Sequence, residues 1–115
     1  MFKQLRTVIY HVDDLQKAKT WYAQLTGMQP YFDEVFYVGF NVNGCELGLD
    51  PDMSKIEKGN HHVAYWSVDD IHAAVTKAAN VGAAIISPIT NVGGTIEVAI
   101  IEDPFGNRIG LITGA

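Results

Sequence analysis

The chain has 115 residues and a net charge of −5, with 48% hydrophobic and 18% charged residues, a composition typical of one globular domain. The single cysteine, Cys45, excludes an internal disulfide and a multi-cysteine zinc site, and eight basic against thirteen acidic residues leave no basic surface for nucleic acid. No apolar run approaches the ~18 residues of a membrane span and no signal-peptide pattern follows Met1, so we expect a cytoplasmic protein that binds neither nucleic acid nor membranes.

A repeat at an offset of 56 residues organises the chain. Residues 12–15 read Val-Asp-Asp-Leu, and residues 68–71 read Val-Asp-Asp-Ile. A strand-like run precedes each copy, over 7–12 and 63–68, and an apolar pattern with helical spacing follows each copy. Two copies of one supersecondary unit are therefore predicted.

Each predicted helix has a start and a stop signal. Asp13 and Asp69 are the predicted N-caps, because a short carboxylate accepts hydrogen bonds from the free N–H groups of the first turn. Gly27 and Gly82 fit the left-handed residue that ends a helix.

Strands follow the first helix in chain order. A short strand is predicted near 29–32 and a clearer one over 36–42. Asn43-Gly44 is the preferred two-residue hairpin turn, because both positions need positive φ. The chain then returns over 45–50, with Cys45, Leu47 and Leu49 on the apolar side.

The second copy repeats this order after a polar linker. Its strands are predicted at 84–87, 96–102 and 108–112, with turns at 93–94 and 103–107. The prediction is an α+β fold of two β-α-β-β-β modules, residues 1–50 and 61–115, joined by a linker at 51–60, all within one structural domain.

The chain resembles the vicinal oxygen chelate superfamily, which includes glyoxalase I, bleomycin- and fosfomycin-resistance proteins and extradiol dioxygenases. The resemblance rests on the paired modules, the Val-Asp-Asp-aliphatic helix starts, the strand-turn-strand at 43–47 and Asp-Pro-Phe-Gly-Asn at 103–107. It implies that two mixed sheets curl into a partly open cup with the helices outside, that a ligand binds inside the cup, and that the protein is a homodimer.

The resemblance also implies four metal-ligand positions in the enzymatic members, usually His, Glu, His and Glu. Carried over one at a time, they fall on Thr7, Glu46, Val63 and Gly110. Only Glu46 keeps the family's residue type, and relatives supply three or four ligands to the ion. We therefore expect no cofactor and no complete metal site. If an ion binds, Glu46 and His62 hold it, and His62 needs a one-residue bulge to face the cup. His61 faces the cup without a bulge, because it lies two residues before Val63 in the same strand alternation.

Strand parity and residue chemistry select the candidate ligand-binding residues. Successive strand residues alternate between faces, so residues that alternate with the apolar ones face the cup. Tyr37 and Tyr65 have that parity and can hold a planar or cationic ligand. The full predicted set is Thr7, His11, Tyr37, Asn41, Glu46, Asp50, Tyr65, Glu97 and Arg108.

Three functions stay open at this point. The leading hypothesis is a protein that binds a small organic molecule in an aromatic, acidic cup without a metal. The rival is a metal-dependent, glyoxalase-like lyase or isomerase, or a dioxygenase, that uses Glu46 and a histidine, with His11 as a possible general base. The third is an interaction domain without a ligand. Fold alone does not decide between them.

Overall fold

A computed structural model describes residues 1–54, 56–59 and 62–114. The chain divides into two compact units, Met1–Glu57 and Lys58–Ala115, here called the first and second modules. Within the residues that the structure describes, each module contains one helix and four strands. The predicted α+β fold class with two β-α-β-β-β modules is confirmed.

The same strand order recurs in both modules. The first has β1 (Thr7–His11), α1 (Leu15–Thr26), β2 (Phe32–Glu34), β3 (Tyr37–Val42) and β4 (Cys45–Asp50). The second has β5 (Tyr65–Ser67), α2 (Ile71–Asn80), β6 (Ala84–Gly93), β7 (Ile96–Glu102) and β8 (Arg108–Thr113). The sheets run β1-β4-β3-β2 and β5-β8-β7-β6, and in each the first pair is parallel and the other two pairs are antiparallel.

The helix caps lie one residue later than predicted. Asp14 caps α1 by accepting a hydrogen bond from the Lys17 amide at 3.1 Å, and Asp70 caps α2 through the Ala73 amide at 3.1 Å. The prediction of Asp13 and Asp69 was wrong because the helices begin at Leu15 and Ile71, and the capping side chain belongs to the extended residue directly before the first helical one.

The helix ends follow the glycine prediction more closely. Gly27 ends α1 with a left-handed φ of 71°. Val81 caps α2 and Gly82 follows with a φ of 99°. A residue without Cβ is favoured at such positive φ values.

The first module buries its core on one face of the sheet, against α1. Tyr10 and Tyr22 stack with ring centroids 5.8 Å apart, and Trp21 meets Tyr22 edge-on at 4.9 Å. The other buried apolar residues on these elements are Leu15, Ala18, Val38, Phe40, Leu47 and Leu49. The opposite face of the sheet takes no part in this core.

The second module repeats this packing with smaller side chains. Ile71 and Ala78 of α2 are buried, as are Ala99, Ile101, Ile109 and Leu111 of the sheet. The edge strand β6 is much longer than the predicted 84–87 and carries register shifts along its pairing with β7. An edge position with irregular pairing tolerates its proline, Pro88.

Two turns match their predicted chemistry. Asn43 and Gly44 have φ values of 51° and 92° and connect β3 to β4. In the second module the buried Asp103 carboxylate accepts from the amides of Phe105 at 2.9 Å and Asn107 at 2.7 Å. A buried side chain thus holds this longer turn, whereas the shorter one is marked by two positive φ values. Within the described ranges, neither helix has the length and apolar content needed to traverse a bilayer.

Candidate functional site

The Glu46 carboxylate of β4 accepts a hydrogen bond on each oxygen. The Tyr37 hydroxyl donates to Oε2 at 2.5 Å, and the Tyr31 hydroxyl donates to Oε1. Tyr37 belongs to β3, and Tyr31 precedes β2, where its amide donates to the Gly39 carbonyl at 3.0 Å. The hairpin thus brings two phenols onto one carboxylate.

The electrostatics of this group favour an ionised Glu46. The hydrogen bonds from Tyr31 and then Tyr37 hold the pKa of the carboxyl below its ordinary value, and the positive charge of Arg6 adds to this. The pKa of Tyr31 is raised, first by its bond to Glu46. The pKa of Tyr37 is raised by burial and by the same carboxylate. At neutral pH the group is a carboxylate with two neutral phenols.

The ladder register places all six predicted first-module residues on one sheet face. Thr7 and Asn41 are direct neighbours of Glu46, and Asp50 is the neighbour of His11. Alternation along β3 adds Tyr37 to the same side. We call this surface the Glu46 face, defined by Thr7, His11, Tyr37, Asn41, Glu46 and Asp50.

A pocket of about 200 Å³ opens on the Glu46 face. Arg6, Tyr31, Asn41, Gly44 and Glu46 line it. Asn41 uses its Oδ1 to accept from the Gly44 amide at 2.8 Å, so it shapes the turn as well as the wall. Arg6 donates from Nη1 to the Thr7 hydroxyl at 2.6 Å, which places a positive charge beside Glu46.

Aromatic rings extend the Glu46 face along the β2–β3 hairpin. Phe32 lies next to Tyr31, Phe36 and Tyr37, with centroid distances of 6.5, 6.0 and 6.2 Å. Tyr31 and Phe36 are 60% and 63% exposed. Exposed ring surface therefore lies next to a fixed negative charge.

His11 lies at the far end of β1 from this pocket. Its Nδ1 is 3.0 Å from the carbonyl oxygen of Asp52. Because a carbonyl only accepts, Nδ1 carries the proton in this contact. The contact connects the chain after β4 to β1, and Glu46 takes no part in it.

In the second module the predicted residues do not form one cluster. The ring of Tyr65 covers Gly110, where an added Cβ would be 2.6 Å from the ring. Arg108 Nε lies 3.9 Å from Glu102 Oε1. Glu97 lies two and four residues from the buried Ala99 and Ile101 and shares their face, so it lies on the opposite sheet face from Gly110.

A second cavity, of about 360 Å³, lies between α1 and β2. Lys19 and Asp33 form an ion pair at 3.0 Å there. None of the predicted ligand-binding residues lines it.

Comparisons with known proteins identify the family. The model of the Glyoxalase/Bleomycin resistance protein/Dioxygenase superfamily matches residues 4–111. The chain belongs to this superfamily. No curated protein is similar enough in sequence to count as a match.

Solved structures of superfamily proteins share the fold. A glyoxalase/bleomycin resistance protein/dioxygenase family enzyme from Burkholderia phytofirmans PsJN superposes with a TM-score of 0.83 at 16% identity, over 98% of this chain and 100% of that one. A glyoxalase-related enzyme from Fulvimarina pelagi gives 0.81 at 14% identity, over 98% and 89%. A glyoxalase/bleomycin resistance protein from Albidiferax ferrireducens T118 gives 0.77 at 18%, over 94% and 97%. At these identities the likeness concerns the fold.

The residues at the four positions that the resemblance assigns to metal ligands do not fit a divalent ion. The Thr7 hydroxyl accepts from a guanidinium, and both Glu46 oxygens already accept from phenols. Val63 offers no donor, and the Tyr65 ring occupies the space in which a side chain at Gly110 would begin. His62 is exposed, His61 lies outside the described residues, and the described ranges contain no group of three or more His, Cys, Asp or Glu side chains placed to share an ion.

Sequence reasoning missed three residues of the pocket, Tyr31, Arg6 and Gly44, the last of which it assigned only to the hairpin turn. Tyr31 lies in a segment predicted as a short strand over 29–32, but β2 starts at Phe32, so no alternation pattern marked its direction. Arg6 lies just before β1, outside any periodic element. The one available signal was the position of Arg6 beside Thr7, already a candidate.

Proposed function

We propose that the protein binds a small organic molecule at the Glu46 face of its first module. The supporting observation is the Glu46 carboxylate, which two tyrosine hydroxyls hold ionised beside an open pocket. A fixed charge with neighbouring rings is the usual composition of a small-molecule site. Phe32 and Phe36 supply apolar contact next to it.

In this proposal binding needs no divalent ion, because each carboxylate oxygen already accepts from a phenol and Arg6 places a positive charge beside the group. Elemental analysis of the purified protein tests this part. A stoichiometric, tightly held divalent ion would contradict it and favour the metal-dependent lyase.

A thermal-shift panel of metabolites and antibiotics tests ligand binding. A ligand at 100 times its dissociation constant adds about 2.7 kcal/mol to the folded state. Glu46→Gln keeps the size of the side chain and removes its charge, so we expect it to lose the shift. Glu57→Gln, an exposed carboxylate outside the strands, is the matched control and should keep it.

Two outcomes would count against the proposal. A panel without any shift would favour the interaction domain. A shift that Glu46→Gln retains in full would place the ligand elsewhere. The homodimer and the cytoplasmic location remain predictions; light scattering checks the first against the chain mass of 12.6 kDa.

A further inference from the structure

The pocket at Glu46 carries two opposite charges in a small volume. Arg6 and Glu46 both line its space of about 200 Å³. Each has its own partners, because the guanidinium donates to Thr7 and the carboxylate accepts from the tyrosines. The charge of Arg6 nevertheless reaches both Glu46 and Tyr31, since it favours the ionised form of each.

This charge pattern discriminates between ligands. A ligand with a single positive charge is attracted by Glu46 and repelled by Arg6, and a ligand with a single negative charge meets the reverse. A molecule with both charges satisfies both groups at once. The pocket is also smaller than the ~300–1,000 Å³ of sites for drug-sized ligands, so the molecule is small.

We propose that this pocket takes a small amino carboxylate, with its ammonium group at Glu46 and its carboxylate at Arg6. The inference rests on the proposed function and names the class of ligand. An apolar or aromatic substituent of that ligand meets the exposed ring of Tyr31 and its neighbour Phe32.

In the free protein the Tyr31 hydroxyl occupies the position on Glu46 that the ammonium group of the ligand takes in the complex. Its hydroxyl donates to Oε1, and its side chain is 60% exposed, so it can swing into solvent. Tyr37 is less exposed, and its hydroxyl lies over Gly48, in space that a Cβ would overlap. The ligand N–H therefore replaces the Tyr31 hydroxyl on Oε1, while Tyr37 stays on Oε2.

Three probes with the same ring test the charge pattern by isothermal titration calorimetry. L-Phenylalanine carries both charges, phenethylamine only the positive one, and 3-phenylpropionate only the negative one. We expect phenylalanine to bind about tenfold or more tightly than either of the others, since each of the others lacks one charge-assisted hydrogen bond to the pocket.

Single variants assign each charge to its residue. Glu46→Gln should remove the preference for phenylalanine over 3-phenylpropionate, and Arg6→Gln should remove the preference over phenethylamine. Lys3→Gln, an exposed cation outside the pocket lining, should leave both preferences intact. Tyr31→Phe should tighten phenylalanine binding, because no hydroxyl has to leave Oε1, whereas Tyr37→Phe should not.

The outcomes separate this inference from the proposed function. Equal affinity for phenylalanine and phenethylamine, with both lost in Glu46→Gln, overturns the amino carboxylate and leaves the binding site at Glu46 standing. No binding by any probe also overturns the amino carboxylate, and the thermal-shift panel then decides the proposed function separately. Weaker phenylalanine binding by Tyr31→Phe would overturn the exchange at Oε1.

Discussion

The two modules share a strand order and a buried face but differ on the other face of the sheet. Gly48 and Gly110 occupy equivalent positions, opposite Ile9 and Tyr65 of the parallel neighbours. The hydroxyl of Tyr37 lies over Gly48 and reaches a carboxylate, whereas the ring of Tyr65 covers Gly110 directly.

This difference indicates which parts of the repeat are constrained by folding. Helix N-caps and core positions recur because both modules need them to bury one sheet face under one helix. The opposite face does not have to pack against a helix, and the two modules differ there. The strand pair Asn41 and Glu46 of the first module corresponds to Glu102 and Arg108 in the second. The candidate site therefore lies in the first module, whereas both modules contribute a buried core.

The largest expected effects test whether the cores are equivalent. Phe40 and Ile101 hold matching positions, and both are fully buried. Phe40→Ala should cost about 3–5 kcal/mol and Ile101→Ala about 2–5 kcal/mol, because each leaves a cavity. Urea unfolding measures both, and a loss below about 1 kcal/mol in either would break the equivalence.

The turns should respond differently, because the side chain that holds the longer one, Asp103, is buried, whereas Asn41 at the shorter one is exposed. Asp103→Ala leaves the amides of the half-buried Phe105 and the buried Asn107 without their acceptor, at an expected cost of about 2–3 kcal/mol. Asn43→Gly keeps the positive φ of the other turn and should change stability by less than about 0.5 kcal/mol. Similar losses in the two variants would contradict this distinction.

The helix caps should behave alike in the two modules. Asp14→Ala and Asp70→Ala are each expected to cost about 1 kcal/mol. Asp13→Ala and Asp69→Ala, one residue earlier, are the controls and should be neutral within about 0.5 kcal/mol. A reversed result in thermal or urea unfolding would assign the caps to the earlier aspartates.

The smallest expected effect concerns the titration of Glu46. Its pKa in the folded protein lies below the ordinary 4.5, so its contribution to stability is present above that pH and is lost as the pH falls through the folded value. Carboxyl NMR should show Tyr31→Phe moving the pKa of Glu46 upward. An unchanged pKa would mean that Tyr31 does not bond to Glu46 in solution.

The internal repeat, periodicity and turn chemistry predicted the two modules, and the resemblance implied their mixed sheets. Strands 45–50 and 96–102 match β4 and β7 residue for residue, because a hairpin turn or alternating burial fixes their ends. The adjacent aspartates at 13–14 and 69–70 left the caps ambiguous by one residue. The length of β6 was missed, since Pro88 and the polar residues after it read as loop.

The site was predicted only in part. Parity along β1, β3 and β4 placed the members of the Glu46 face correctly relative to one another. It could not reveal that Tyr31 reaches Glu46, because that contact depends on how the segment before β2 folds back onto β3. In the second module the prediction that Glu97 shares a sheet face with Tyr65 was wrong, because Glu97 lies on the opposite face.

Amide NMR mapping tests the central claim most directly. A ligand that the thermal-shift panel identifies is added to isotope-labelled protein, and the shift of each backbone amide is followed. We predict that the largest changes fall on Tyr31, β3 and β4 around Glu46. Changes confined to β5, β7 and β8 would place the site in the second module and contradict the account.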